Sequence, residues 1–188
     1  MTSTLVTIPG YSIIEQIYDG ARTRVYRGLC ESSQKPVVLK LLKSEYPTFN
    51  ELVQFRNQYT IAKNLDLPGL VKPIALLDYR NGFALVMEDI GGVSLKDWGQ
   101  ARQAGFSEAS QPPITPSLSE FFNIALQVTQ TLEGLFKNRI IHKDIKPPNI
   151  LINPETKAVK VIDFSISSLL PKQNQEIQNP NVLEGTLA

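Results

Sequence analysis

"IIHKDIKPPNIL", residues 140–151, sets a histidine, an aspartate, two lysines and an asparagine between β-forming apolar residues. A surface loop would carry such groups for solubility. A catalytic loop would carry them because each has a task. Asp144 is suited to accept a proton from an attacking hydroxyl, and Lys146 to neutralise a phosphoryl group in flight. Asn149 is suited to bind a metal through its side-chain oxygen, and Pro147 and Pro148 stiffen the stretch. Phosphoryl transfer depends on positioning and charge stabilisation, so scattered polar groups on a rigid loop are what it requires.

Working outward, "VIDFS" at 161–165 places Asp163 just after an apolar strand, where a second metal ligand is expected. Upstream, "VVLK" puts Lys40 on a strand from which it would reach nucleotide phosphates. Gly20 falls in a hairpin turn expected to lie over them. That hairpin joins strands expected at 11–18 and 24–30, and a third follows at 36–42. Leu52, Phe55, Tyr59, Ala62 and Leu65 then recur at helical spacing. "TFNE" at 48–51 has capping-box form, with Thr48 as the cap and Glu51 reaching back. "LPG" at 67–69 is expected to end this helix. "LVKPIALLDY" and "FALVMEDI" read as two further strands around the turn "RNG".

Beyond them, a short helix is expected from Ser94, and residues 99–117 read as a polar, proline-containing loop. Leu118, Phe121, Phe122, Ala125, Val128, Thr129, Leu132, Leu135 and Phe136 line the apolar side of a long helix. "NILIN" and "AVKVIDF" read as short strands around "PETK". From Leu170 onward the pattern dissolves into polar residues and proline.

The chain has 188 residues, 42% hydrophobic and 20% charged, a globular composition. Its net charge of +1 gives no broad field for nucleic acid or an anionic membrane, so neither is an expected partner. No apolar run approaches a membrane span, and no signal peptide is legible. The single cysteine, Cys30, excludes an intrachain disulfide and suits a reducing cytoplasm. Cys30 itself reads as a small packing residue.

The order of turn glycine, strand lysine, helix, strand pair, "HKDIKPPN" and "IDF" resembles a eukaryotic-type serine/threonine protein kinase domain, from about Tyr11 to the last residue. "EQIYDGARTRVYRG", "LVQFRNQYTIAKNLDLPGLVKPI" and "NPNVLEGTLA" look more closely like the N-terminal kinase domain of cyanobacterial multi-sensor signalling proteins. In those, ATPase, GAF and often histidine-kinase modules follow. The resemblance implies an α+β bilobal fold: a tail at 1–10, an N-lobe at 11–93 with five antiparallel strands and one helix, and a partial, mainly helical C-lobe at 94–188. It implies ATP and Mg²⁺ as cofactors and a protein as substrate.

By the same resemblance, Lys40 would hold the α- and β-phosphates, Asp144 would be the base and Lys146 would support the γ-phosphate. Asn149 and Asp163 would bind Mg²⁺. Met87 would line the back of the adenine pocket. Glu88 and Ile90 would offer backbone groups to the adenine edge, and Ile17, Val25, Val38 and Leu151 would sandwich the ring. Thr186 would contact the catalytic loop, with the substrate-docking loop expected after it.

The sequence makes four departures from the family pattern. Of the three glycines of the phosphate-covering loop only Gly20 is present; Tyr18 and Thr23 stand at the others. Gln58 stands where a glutamate should face Lys40. Lys143 replaces an arginine, and Ser165 replaces a glycine. Gln58 and a C-lobe expected to be cut short support a second reading, a non-catalytic pseudokinase or truncated remnant that binds nucleotide or partners without transfer.

Overall fold

The computed structural model describes residues 6–104 and 116–170, which divide into two compact units. The first comprises Met1–Asn64 and Lys72–Asp89, the second Leu65–Val71 and Ile90–Ala188. The division thus places 65–71 and 90–93 with the second unit.

The first unit is built on strands β1 (Tyr11–Asp19), β2 (Thr23–Cys30), β3 (Pro36–Leu42), β4 (Pro73–Tyr79) and β5 (Gly82–Glu88). They form one antiparallel sheet in the order β1-β2-β3-β5-β4. Alternation along β3 sets the two faces. Val37, Leu39 and Leu41 are buried, and with Tyr26, Ala84 and Val86 they form the core. Val38 and Lys40 point to the opposite, half-buried face. Ile8, inside the stretch expected as a tail, is buried against this core and bridges to Tyr11.

Helix α1 (Phe49–Ala62) starts at the expected capping box. The Glu51 amide donates to Thr48 Oγ1, and the Thr48 amide donates to Glu51 Oε2 at 2.8 Å. The helix stops at Ala62, short of the expected "LPG", so Leu65 lies beyond it. Its buried side is Phe55, Gln58, Ile61 and Ala62. The run "LVKPIALLDY" is likewise divided: β4 begins only at Pro73. Leu70 and Val71 turn to a strand of the second unit instead, where the Val71 amide donates to the Val161 carbonyl and the Val161 amide to the Gly69 carbonyl. A proline at the first position of β4 suits this break, since it has no amide to donate.

The second unit holds β6 (Val93–Ser94), α2 (Leu95–Ala104), α3 (Leu118–Lys137), β7 (Ile140–Ile141), β8 (Ile150–Ile152), β9 (Val159–Val161) and β10 (Ser168–Leu169). Its strands pair as β6-β8-β9 and as β10-β7. Trp98, Ile150, Ile152 and Val159 are its packed centre, with Leu95, Ile124 and Val128 against them. The Ser94 hydroxyl caps α2 by accepting from the Asp97 amide at 3.0 Å. The helix then continues to Ala104, through residues expected in a loop. Gln100–Ala104 are good helix formers, and Gly99 sits in open space where its flexibility is tolerated. The rest of that expected loop, 105–115, and the sequence after Leu170, with Thr186, lie outside the described residues.

Helix α3 spans the expected range, with a capping box between Ser117 and Glu120. Of its side chains only Thr131 and Leu135 are fully buried, and Phe136 is 75% exposed. Small residues let residues 65–71 approach it closely. A Cβ on Gly69 would collide with Thr131, and one on Gly134 would collide with Leu67.

Candidate active site

The β8–β9 ladder pairs Ile150 with Val161, and the amide of Ile162 donates to the Asn149 carbonyl at 3.0 Å. Asn149 and Asp163 therefore flank the same end of one hairpin. Helix α3 holds that hairpin from the side. Gln127 Oε1 accepts from the Val159 amide at 2.9 Å, and Gln127 Nε2 donates to the Lys157 carbonyl at 3.0 Å.

Before the hairpin, a single 3₁₀ turn at Pro147–Asn149 folds the chain back, with the Asn149 amide donating to the Lys146 carbonyl. The fold-back brings Asn149 to Asp144. Asn149 Nδ2 donates to both the carbonyl and Oδ2 of Asp144, each at 2.9 Å. Lys146 Nζ lies 2.9 Å from the same Oδ2. The Asp144 side chain is 12% exposed, so its carboxylate is fixed by two donors yet still reachable. Asn149 Oδ1 takes part in neither bond to Asp144.

His142 is the post on which this loop turns. It is 3% exposed and stacks edge-to-face on Phe164 at 4.8 Å. Its Nδ1 accepts from the Asp144 amide at 3.3 Å, and its Nε2 lies 3.0 Å from the Ile162 carbonyl. An acceptor on one side and a carbonyl on the other specify the neutral ring with the proton on Nε2. Burial pushes its pKa below the ordinary value, against the pull of the Ile162 carbonyl and the charges of Asp163 and Asp144. The Ser167 hydroxyl donates to the His142 carbonyl at 2.9 Å, so the chain after Asp163 closes back on the loop.

Two non-glycine residues here adopt left-handed backbone, Lys143 at φ 68° and Asp163 at φ 70°. Aspartate tolerates this region better than most residues, and such conformations concentrate at functional sites. The donors suit magnesium: a carboxylate and an amide oxygen are hard ligands. Among the described residues no three His, Cys, Asp or Glu side chains gather as a metal cage. Magnesium does not need one, since it is commonly held by one or two protein ligands together with substrate phosphates.

In the first unit Lys40 is paired across the sheet with Val25 and Leu85. Its Nζ donates to Gln58 Oε1 at 2.7 Å, so the α1 residue expected to face Lys40 does so. Val38 and Met87 lie opposite each other one step along the same face. Ile17 falls in a bulge of β1 and is 42% exposed. The Glu88 amide donates to the Lys72 carbonyl. In the second unit Ile90 accepts from Asn153 Nδ2 at 2.7 Å, and Leu151 is a half-buried residue of β8. Gly20 does not adopt left-handed backbone; a Cβ there would meet the ring of Tyr18, so its lack of a side chain serves that ring. Gln127 and Ser167 are positioning groups that carried no sequence signal, because their partners are backbone atoms distant along the chain.

A family profile for the protein kinase domain matches residues 11–188. A probable serine/threonine-protein kinase of Clostridium perfringens is 31% identical over 158 residues, covering 84% of this chain and 21% of that protein. Serine/threonine-protein kinase PrkC of Bacillus subtilis is 31% identical over 161 residues, covering 85% of this chain and 23% of its own length. Cyclin-dependent kinase F-3 of Oryza sativa is 27% identical over 157 residues, covering 84% of this chain and 33% of that protein. The chain thus matches only about a fifth to a third of the length of these relatives. With the Asp144 loop and the Lys40 pairing, these matches establish that the chain belongs to the protein kinase domain family.

Proposed function

We propose that the protein transfers the γ-phosphoryl group of ATP to a serine or threonine hydroxyl of a protein substrate. The observation that carries this reading is the Asp144 carboxylate, held by Asn149 Nδ2 and Lys146 Nζ within one loop. In the step, the substrate oxygen bonds to the γ-phosphorus, the bond to the bridging oxygen breaks, ADP leaves, and Asp144 takes the hydroxyl proton. Lys146 exchanges its pairing with Asp144 for the phosphoryl oxygens as charge builds there. Lys40, held by Gln58, binds the α- and β-phosphates. Magnesium, when bound through Asn149 and Asp163, neutralises phosphate charge.

On this reading Val25, Val38, Met87 and Ile17 contact the base, Glu88 offers it a backbone group, and Gly20 belongs to the turn over the phosphates; the same roles for Ile90 and Leu151 rest on the family resemblance alone. The two units fit an N-lobe and residues of a C-lobe. The "HKD", "DFS" and "EQIYDGARTRVYRG" stretches support placement in a multidomain signalling protein of the cyanobacterial multi-sensor kind. Dependence on ATP and a lone cysteine support a cytoplasmic setting.

The experiment is an ATP titration with and without Mg²⁺. Asp163→Ala weakens binding more with Mg²⁺ present than without it, because the carboxylate acts through the metal. Equal losses under both conditions would count against the assignment.

A further inference from the structure

Arg27 carries no role in the site as described, yet it ties two distant parts of the first sheet together. It lies on β2, directly opposite Glu15 on β1 and Val38 on β3. Cross-strand partners share a face, so Arg27 lies on the face that carries Val38, Met87, Val25 and Lys40. Its guanidinium donates from Nε to Asp89 Oδ2 and from Nη1 to Glu15 Oε1, both at 2.6 Å. Asp89 directly follows β5, the strand that brings Glu88 to the proposed base site. Glu15 precedes the bulge that carries Ile17. β1 and β5 are separated by two strands, so a single side chain spans the sheet between them.

An exposed ion pair would mean little. Here the Asp89 side chain is only 7% exposed, and a carboxylate so covered needs a partner. The planar guanidinium fork engages two carboxylates at once, which a lysine ammonium at the end of a single stem does less well. Burial disfavours the charged guanidinium, and the bonds to Asp89 and Glu15 outweigh it.

We propose that Arg27 is a positioning residue for the nucleotide base: it sets the distance between the chain leaving β5 and the β1 strand above the ring. This rests on the nucleotide reading of the site given above. Arg27 acts on the base alone, because the phosphates are assigned to Lys40 and the metal ligands.

The test titrates adenosine and MgATP separately against the protein and its variants. Arg27→Gln weakens adenosine and MgATP by the same factor, about tenfold. Arg27→Lys loses less. Lys40→Met weakens MgATP and leaves adenosine unchanged, which checks the underlying reading independently. Pairing Arg27→Gln with Asp89→Asn removes the covered charge that Arg27 offsets, so the melting temperature recovers while adenosine affinity stays low. If the double variant regains affinity along with stability, Arg27 is structural only and the proposal fails. If Lys40→Met weakens MgATP but Arg27→Gln leaves adenosine binding unchanged, the proposal fails while the site stands. If Lys40→Met leaves MgATP unchanged, the nucleotide reading itself fails.

Discussion

Gln58 stands where the family pattern has a glutamate, and it reaches Lys40 at 2.7 Å without supplying a charge. A carboxylate at that site would turn a neutral acceptor into a charged one, and charge-assisted hydrogen bonds are roughly twice as strong. Gln58→Glu is expected to hold ATP at least as tightly as the parent in a binding titration. A clear loss would show that the neutral amide is the working partner. His142 makes a different prediction. Its folded-state pKa lies below its ordinary value of 6.5, so below that pH the unfolded chain binds the extra proton first. Stability from this residue is therefore full at neutral pH and falls as pH drops through about 6.5 toward the lower folded value. Thermal melts from pH 7.5 to 5.5 should show that slope in the parent and a shallower one in His142→Gln. At this scale the sequence was informative because Asp144, Lys146 and Asn149 sit close together in the chain. The reason for Gly20 was not legible, since it depends on where the Tyr18 ring folds.

The β8–β9 hairpin owes its placement to α3 as much as to its own ladder. Gln127→Ala removes the acceptor of the Val159 amide, whose residue is buried, and the donor to the Lys157 carbonyl. Leaving a buried backbone group unpaired costs roughly 1–3 kcal/mol, and chemical denaturation should register a loss of that size. Hydrogen exchange should also speed at Val159–Val161, and protection unchanged there would contradict the clamp. Element types were readable from period, and the start of α1 from its cap, Thr48 with Glu51; the Ser117–Glu120 cap of α3 emerges only from the structure. Boundaries set by tertiary pairing were not. Leu70 and Val71 continue an apolar strand pattern, but the Val71 amide donates to the Val161 carbonyl of β9 and the Leu70 amide to the Leu67 carbonyl. Pro73 suits the break, but nothing local shows that the residues before it pair with β9. The continuation of α2 to Ala104 was missed because nearby prolines and polar residues suggested a loop.

Taken as a whole molecule, the five-stranded sheet with one helix and the second, helix-containing unit match the α+β kinase domain that the motif order implied. Gln127, Ser167 and the Arg27 tie carry no motif, since each connects atoms far apart in the chain. The central claim is that Asp144 is the base of a phosphoryl transfer. Its most direct test measures label moving from γ-labelled MgATP to protein serine and threonine, in parent and Asp144→Asn at equal nucleotide occupancy. The account predicts transfer by the parent, a fall of about 10²–10⁴-fold in the variant, and ATP affinity changed little. Transfer by Asp144→Asn within a few-fold of the parent, or a parent that binds MgATP and transfers nothing, would contradict it.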